Sequence, residues 1–588
     1  MSHPINHRFG TYTIVCVDEE SRLKGIPASP GIAIGRCVVI QGDNQSLLHY
    51  YMISDDKRDS EVERYQNAVR LCAIELQQTF QLAEKEIGNV AAILETYEFI
   101  VNDFTINEAI IKRIRDGFPA ESAVSIEYDL QKNFFQYAKD AILRERAHDI
   151  ENVKERLLHV LHNKHISHSI ARNSIIVSPS IIPQDVILFN ESEVLGFVTE
   201  VGGITSHSCI LARSLGLPAV IGVPNATTVT VANSVIIIDG YAGVVITNPK
   251  PETLEKYIRK QEQKKAQSKK LQRQAQFPAV TQDGTRIQLN ANADTTDDVD
   301  VALSHGAEGI GLVRTEMFIV KLQRFPEEAE QEEYYRDMSL RTYPNVVTFR
   351  AFDIGSDKHV EGLPHEKNPA LGMRGVRFLL HRKDIYLTQI RAILKASVNK
   401  NVRLLIPMIA NVQEIEESLE LVKRAKKQLT DSGHDFDHAM PVGIMIETPS
   451  SALMAHKLAE LVNFFSIGTN DLTQYTLAAD RTNEMVSTIF DAFNPAVLRL
   501  MKHTVDAATK NNISVSVCGD FGGHSAATEL LIGMGINELS VTPSLLPELK
   551  QRIRKASAKH ASKVFMDAVE CLSAKEVRNK VSAVRKKK

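Results

Sequence analysis

The second half of the chain places chemically capable side chains at the ends of short apolar runs: Asn292, Arg314, Arg350, Glu447, Asn470 with Asp471, and Cys518. Arginine presents a planar fork that matches phosphate and carboxylate oxygens. Arg314 and Arg350 close two consecutive runs, with Arg374 and Arg481 in segments nearby. Any one of them alone is more often half of a surface ion pair; two at consecutive run ends point to an anionic ligand. Glu447 and Asp471 also close consecutive runs. Two carboxylates held together repel unless a cation lies between them, and Mg2+ is bound by one or two carboxylates with water and substrate oxygens completing its shell. A structural ion pair with Arg or Lys is the plainer reading of each acid. Carboxylates and arginines together fit a metal-bound anionic substrate. Cys518, in Val517-Cys518-Gly519-Asp520, is the one thiol of this set. A buried cysteine is usually a small hydrophobe; beside acids and arginines it is placed to transfer a proton.

A histidine in the first half has a different setting. Gly202-Gly203-Ile204-Thr205-Ser206-His207 follows an apolar run and precedes a helical pattern from Cys209 to Leu215, which Gly216 and Pro218 terminate. Thr205 or Ser206 suits the N-cap, which puts His207 in the first turn. There the positive helix end disfavours imidazolium and leaves a neutral, nucleophilic ring. The same end, with the Gly202-Gly203 backbone, favours a phosphate once attached. By itself the pattern is more often a capped helix with an incidental histidine.

The elements that must hold these residues follow from the periodicity. Beyond Pro278, eight strand-like runs alternate with mostly helical segments: Ile287-Asn290, Gly309-Val313, Val346-Arg350, Leu404-Met408, Val442-Ile446, Phe464-Ile467, Ile513-Val517 and Glu538-Val541. This is the pattern of a (β/α)8 barrel, whose active site lies at the C-terminal strand ends. In the first half, Ile175-Val177, Gly196-Val198, Ala219-Ile221 and Val235-Ile238 read as strands. Between about Asp56 and His165 few glycines or prolines occur, and Val62, Tyr65, Val69 and Leu76 recur at helical spacing. The expected organisation is multidomain α/β: an extension over 1–24, a small α/β domain over 25–55 and 168–250, a helical bundle inserted at 56–167, a linker helix over 251–277, a barrel over 278–570 and a basic tail over 571–588.

Composition narrows the class of function. The chain has 588 residues, which at roughly 150 residues per domain is about four domains, or fewer with a barrel. With 43% hydrophobic and 24% charged residues and a net charge of -3, it has the balance of a globular protein and no field that would drive it to nucleic acid or an acidic membrane. The Lys- and Arg-rich stretch around Lys264, Lys265, Lys269, Lys270 and Arg273 carries no interleaved aromatics, so it reads as a solvated helix. The apolar run Tyr12 to Val17 is too short to span a membrane and lacks the flanks of a signal peptide. Six scattered cysteines without a CxxC pair indicate a reducing compartment, hence the cytoplasm.

Taken in order, Gly25-Gly35, Gly202-Arg213, Gly309-Glu316, Arg350-Lys358, Asn368-Arg377, Gly443-Pro449, Phe464-Arg481 and Cys518-Gly519 resemble the enzyme I family of the bacterial phosphoenolpyruvate-dependent sugar phosphotransferase system. The run Ser466-Ile467-Gly468-Thr469-Asn470-Asp471-Leu472-Thr473-Gln474-Tyr475 is the most specific of these. The resemblance implies a swivelling phosphohistidine domain, with His207 as the residue phosphorylated. It implies that Arg314, Arg350, Asn470 and Arg481 hold phosphoenolpyruvate, that Glu447 and Asp471 hold Mg2+, and that Cys518 protonates the enolate carbon to give pyruvate. It further implies that the helical insert, including Arg146-Ala147-His148-Asp149-Ile150-Glu151, docks the phosphocarrier protein HPr, and that the chain dimerises through its barrel.

Two positions depart from the family pattern. Ile204 stands where an arginine is usual, and Asp520 where a glutamate is usual, which removes one positive contact to the phosphohistidine and shortens one carboxylate near Cys518. These departures are the whole support for an alternative, a degenerate relative that senses phosphoenolpyruvate and regulates a partner. A phosphoenolpyruvate synthase or pyruvate phosphate dikinase would need a large nucleotide-grasp domain, for which no segment is long enough.

Overall fold

The computed structural model describes residues 20–40, 52–86, 97–136, 141–161, 172–202, 207–322, 324–355, 366, 368–481, 486 and 488–586. The chain divides into two compact units, Met1–Lys265 and Ala266–Lys588, each with its own apolar core.

The first unit is built on an eight-stranded sheet: β1 (Ser21–Lys24), β2 (Ile26–Ser29), β3 (Ile32–Val39), β4 (Ser174–Ser178), β5 (Gly196–Thr199), β6 (Ala219–Ile221), β7 (Val235–Asp239) and β8 (Val244–Thr247), in the order β1-β8-β7-β3-β4-β5-β6-β2. The run from β3 through β4 and β5 to β6 is parallel, and the remaining pairs are antiparallel. Parallel strands covered on both faces need apolar side chains on both, which is why Ile175, Ile176, Val177, Phe197, Val198, Ala219 and Val220 are all buried. The last residues of the stretch expected as an extension are part of this sheet, since β1 pairs with β8 from Ser21↔Thr247 to Lys24↔Val244. The run Tyr12 to Val17 lies outside the described residues.

Between β3 and β4 the chain forms the helices Arg58–Glu86, Phe104–Arg115, Ala120–Gln136 and Ala141–Leu161. Their apolar stripes meet in a core of Tyr65, Cys72, Leu76, Tyr97, Ile110, Ile114, Tyr128 and Leu157 that continues into Ile176, Phe189 and Phe197 of the sheet domain. Asp103 caps the second helix by accepting from the backbone N–H groups of Thr105 and Ile106 at 2.9 and 3.0 Å.

In the second unit a short strand β9 (Ala279–Val280) precedes β10 (Arg286–Ala293), β11 (Ile310–Arg314), β12 (Val347–Arg350), β13 (Val402–Ile406), β14 (Val442–Ile446), β15 (Phe464–Gly468), β16 (Ser514–Cys518) and β17 (Glu538–Val541). Strands β10 to β17 are parallel neighbours in order, and β10 pairs with both β11 and β17, so the barrel is closed. All eight expected runs are strands. The run expected to end at Met408 stops at Ile406, and Met408 instead takes a left-handed backbone with φ of 59°.

Pro251–Ala275 is one continuous helix. Its end is anchored within the second unit: Lys550 Nζ donates to Ala275 O at 2.6 Å and Arg554 Nη2 to Gln274 O at 2.8 Å, which satisfies carbonyls that a helix C-terminus leaves free. The C-terminal region expected as a basic tail carries a helix, Ala574–Lys586, because Val577 and Val581, four residues apart, bury one face against the core.

Candidate active site at the C-terminal rim of the barrel

Parallel strands in register bring their last residues to one rim. Arg314 lies opposite Arg350 in the β11–β12 pair, Ile446 opposite Ile467 in β14–β15, and Gly468 opposite Cys518 in β15–β16. Glu447 directly follows β14, and Asn470 and Asp471 lie in the first turn of the helix Thr469–Leu477 that follows β15. The rim therefore collects Arg314, Arg350, Glu447, Asn470, Asp471 and Cys518.

Arg350 is buried and ion-paired with Glu316, and its Nη1 lies 3.3 Å from Asp353 Oδ2. Burial works against its charge, but Glu316, Asp353, Glu447 and Asp471 together offset this and raise its pKa. Asp353 also accepts from Arg374, whose Nη2 and Nε stand 2.7 and 3.1 Å from its two oxygens. Arg374 Nη1 reaches Asp471 Oδ1 and the Tyr475 hydroxyl, each at 3.3 Å. One chain of charge thus links Glu316, Arg350, Asp353, Arg374 and Asp471.

Glu447 is fully buried. Its Oε1 accepts the Met408 N–H at 2.6 Å, and its Oε2 has no hydrogen-bond partner among the described residues. Burial, and then the charges of Asp471 and Asp353, push its carboxyl up to about 8. Two guanidiniums, Arg350 and Arg374, face four carboxylates, Glu316, Asp353, Glu447 and Asp471, an excess of two negative charges when all are ionised. A divalent cation between Glu447 and Asp471 would remove that excess and give Glu447 Oε2 a partner. No group of three or more His, Cys, Asp or Glu side chains is placed to hold a metal ion among the described residues. Two carboxylates leave most of a cation's shell to water and substrate oxygens, as Mg2+ prefers.

Cys518 ends β16, 2% exposed. Its sulfur accepts the Ser466 hydroxyl at 3.3 Å and donates toward Ile467 O at 3.5 Å. Burial pushes the thiol up to about 11, so it is protonated at neutral pH. Asp520 bonds elsewhere: its carboxylate accepts from Asn470 Nδ2 at 3.2 Å, and its N–H donates to Asn470 Oδ1 at 3.4 Å. Its shorter side chain thus bears on Asn470 more directly than on the thiol.

Arg314 is half-exposed and held by both oxygens of Asp294 at 2.6 Å; Asn292 accepts the Ser540 hydroxyl at 2.6 Å. Arg481 stands exposed in the turn after the helix Thr469–Leu477. His207 opens the helix His207–Ser214 of the first unit. Ser208 Oγ donates to Ile181 O at 2.7 Å, Ser29 Oγ to Ala212 O at 3.2 Å and Arg213 Nε to Ala28 O at 2.8 Å, and these bonds fix the helix on the sheet. Ile204, Thr205 and Ser206 lie outside the described residues.

Sequence reasoning missed the carboxylates that hold the arginines, and it missed Ser466. A signal was present: Asp294, Glu316 and Asp353 each lie two or three residues beyond Asn292, Arg314 and Arg350, in the loops that must surround the same rim.

The chain is similar to known proteins along most of its length. The chain matches the families described as PEP-utilising enzyme, N-terminal, over 24–146; PEP-utilising enzyme, mobile domain, over 170–243; and PEP-utilising enzyme, PEP-binding domain, over 268–558. It is 38% identical over 557 residues to the phosphoenolpyruvate-protein phosphotransferase of Cupriavidus necator, covering 91% of this chain and 94% of that one. It is 35% identical over 561 residues to that of Listeria monocytogenes, covering 94% and 98%, and 34% identical over 574 residues to that of a Bacillus species, covering 95% and 97%.

Proposed function

The chain belongs to the phosphoenolpyruvate-utilising enzymes, as a member of the phosphoenolpyruvate-protein phosphotransferases of the sugar phosphotransferase system, and from that premise we propose how its residues carry the reaction. Phosphoenolpyruvate binds at the barrel rim, its phosphate and carboxylate held by Arg314, Arg350 and Arg481 with Asn470 assisting. His207 attacks the phosphorus and keeps the phosphoryl group, and Cys518 gives its proton to the enolate carbon, so that pyruvate leaves. The observation that carries this reading is the rim itself, where parallel register sets Arg314 beside Arg350 and brings Glu447, Asp471 and Cys518 to the same end of the barrel.

Phosphoryl transfer needs positioning and neutralisation of charge more than covalent help. Arg350 is suited to this because its guanidinium is locked by Glu316 and Asp353 before substrate arrives. The buried, protonated thiol of Cys518 is suited to a carbon acid of high pKa. Glu447 and Asp471 are the residues that would hold Mg2+, supported by the unpartnered Glu447 oxygen. When bound there, Mg2+ would supply positive charge to the oxygens on which negative charge develops.

The phosphoryl group then passes from His207 to HPr, docked on the helical insert, where Phe99, Phe104 and Phe134 stand 78%, 74% and 72% exposed. Large exposed aromatics of this kind suit a protein partner. The active form is a homodimer through the barrel. No helix of the described residues is long and apolar enough to cross a membrane. The test is to incubate pure protein with phosphoenolpyruvate and Mg2+ and to map acid-labile phosphate. Phosphate on His207 with release of pyruvate is expected; no incorporation would favour a phosphoenolpyruvate-sensing regulator.

A further inference from the structure

The thiol that donates the proton must be held still before the step and must survive as a thiolate after it. Cys518 lies among Leu312, Leu405, Met445 and Phe464, an apolar pocket that does little for a negative sulfur. Among the described residues, one side chain offers the sulfur a hydrogen bond: Ser466, itself 1% exposed, whose hydroxyl donates to Sγ from 3.3 Å. Ser466 lies two residues before Gly468, the register partner of Cys518, so it points to the same interior side of β15 as Gly468. The thiol hydrogen is directed at Ile467 O, 3.5 Å away, a long contact that can be released when a better acceptor arrives.

Resting on the assignment of Cys518 as the proton donor, we propose that Ser466 is a positioning residue of the reaction: its hydroxyl fixes the Cys518 sulfur and stabilises the thiolate formed when the proton goes to carbon. In that step the S–H bond breaks and a C–H bond forms at the terminal carbon of the enolate. The enolate's π electrons become the new C–H bond, the oxygen's negative charge becomes the pyruvate carbonyl, and sulfur keeps the electron pair of the broken bond. Solvent water reprotonates the thiolate once pyruvate has left. The hydrogen bond from Ser466 strengthens as charge builds on sulfur, so it acts on the proton step and leaves ground-state binding of phosphoenolpyruvate alone.

The test uses the full-length protein with Mg2+ and follows exchange of pyruvate methyl protons with deuterated water, the reverse of the proton step. Ser466→Ala should slow exchange by roughly tenfold or more, the weight of one hydrogen bond to a charged group, and raise the pH at which exchange climbs as the thiol ionises to the thiolate that removes the methyl proton. Its affinity for phosphoenolpyruvate, read by calorimetric titration, should stay at the wild-type level, which also shows that its barrel is folded. Ser466→Thr, which keeps the hydroxyl, should restore exchange to within a few-fold, roughly less than one such bond. Wild-type exchange and an unmoved pH profile in Ser466→Ala would overturn the proposal, as would a Thr variant as slow as the Ala variant. Cys518→Ala separates the two levels. If it exchanges at the wild-type rate, the thiol assignment falls; if it is slow while Ser466→Ala is not, only the role of Ser466 falls.

Discussion

Gly468 lies against Glu447 so closely that a methyl group on its Cα would stand 2.9 Å from Glu447 Oε2 and 3.0 Å from both Glu447 Cβ and Met445 Sδ. The glycine that ends β15 is therefore what lets the buried carboxylate rest where it does. Gly468→Ala should leave the barrel folded, because the nearest obstacles are side chains, but it should turn the Glu447 carboxylate out of place. Affinity for Mn2+, measured by calorimetry as a stand-in for Mg2+, is expected to fall about tenfold, or ~1.4 kcal/mol. An unchanged affinity would mean that Glu447 does not hold the cation.

The thiol of Cys518 supplies a pH dependence of stability. Its pKa is pushed up to about 11 from an ordinary value of 9.0, so the folded chain binds this proton more tightly than the unfolded chain. The stability that results is fully present below pH 9 and is lost as pH rises through about 11. Comparing the wild type with Cys518→Ala isolates it. The wild type should lose ~2 kcal/mol more than the variant between pH 8 and pH 11, read from denaturant midpoints at each pH. Over the same range below pH 9, Cys518 should resist alkylation in the native protein, since it is both buried and protonated.

His207 and the rim residues are expected to separate cleanly in their effects. His207→Ala should abolish phosphorylation of the chain while leaving phosphoenolpyruvate binding nearly intact, because His207 opens a helix of the first unit and the arginines belong to the second. Arg350→Ala should abolish binding, and it should also cost about 3–5 kcal/mol of stability by breaking the buried ion pair with Glu316, while Asp353 keeps Arg374. Calorimetric titration with phosphoenolpyruvate decides the first point. Loss of binding in His207→Ala as large as in Arg350→Ala would sink the division of labour.

The contrast between what could be read early and what could not has a physical cause. Parallel barrel strands are buried on both faces, so Ile444, Met445 and Ile446 or Leu404, Leu405 and Ile406 stand in unbroken apolar runs that a local reading detects. Residues that end such runs are exposed to inspection for the same reason, and Arg350, Glu447 and Cys518 stood out. Which side chains of neighbouring elements pair has no local signature. Glu316 meets Arg350, 34 positions away, and Ser466 meets Cys518, 52 positions away, only because neighbouring strands share a register. The family pattern, with a glutamate usual two positions after the cysteine, made Asp520 look like a support for Cys518, whereas its hydrogen bonds run to Asn470, 50 positions away.

The last prediction follows from the boundary between the two units at Lys265. A fragment of residues 1–265 contains the helical insert, the sheet and the His207 helix with the bonds that seat it, and it lacks every residue of the barrel rim. The cut matters. Leu254, Tyr257 and Ile258 pack on Ile32, Ile237 and Ile246, Gln261 Nε2 donates to Ile32 O at 2.6 Å, and Lys260 pairs with the buried Asp239. A fragment ending at Glu255 would forfeit most of these contacts and should be less stable by ~2 kcal/mol, the order of one buried apolar side chain plus a hydrogen bond. The 1–265 fragment should accept a phosphoryl group from phosphorylated HPr and should not accept one from phosphoenolpyruvate at any Mg2+ concentration. In the whole chain, the proposed route from phosphoenolpyruvate takes the His207 helix end to the rim, and the proposed transfer to HPr turns it to the insert. Because one helix end cannot meet both partners at once, that route predicts that the chain yields in the stretch 262–273, between the two anchored ends of the helix Pro251–Ala275. Shortening that stretch should block phosphorylation by phosphoenolpyruvate and spare exchange with HPr, both followed by gel separation of the phosphorylated chain. Phosphorylation of the isolated fragment by phosphoenolpyruvate alone would place the substrate site in the first unit and remove the rim from the mechanism.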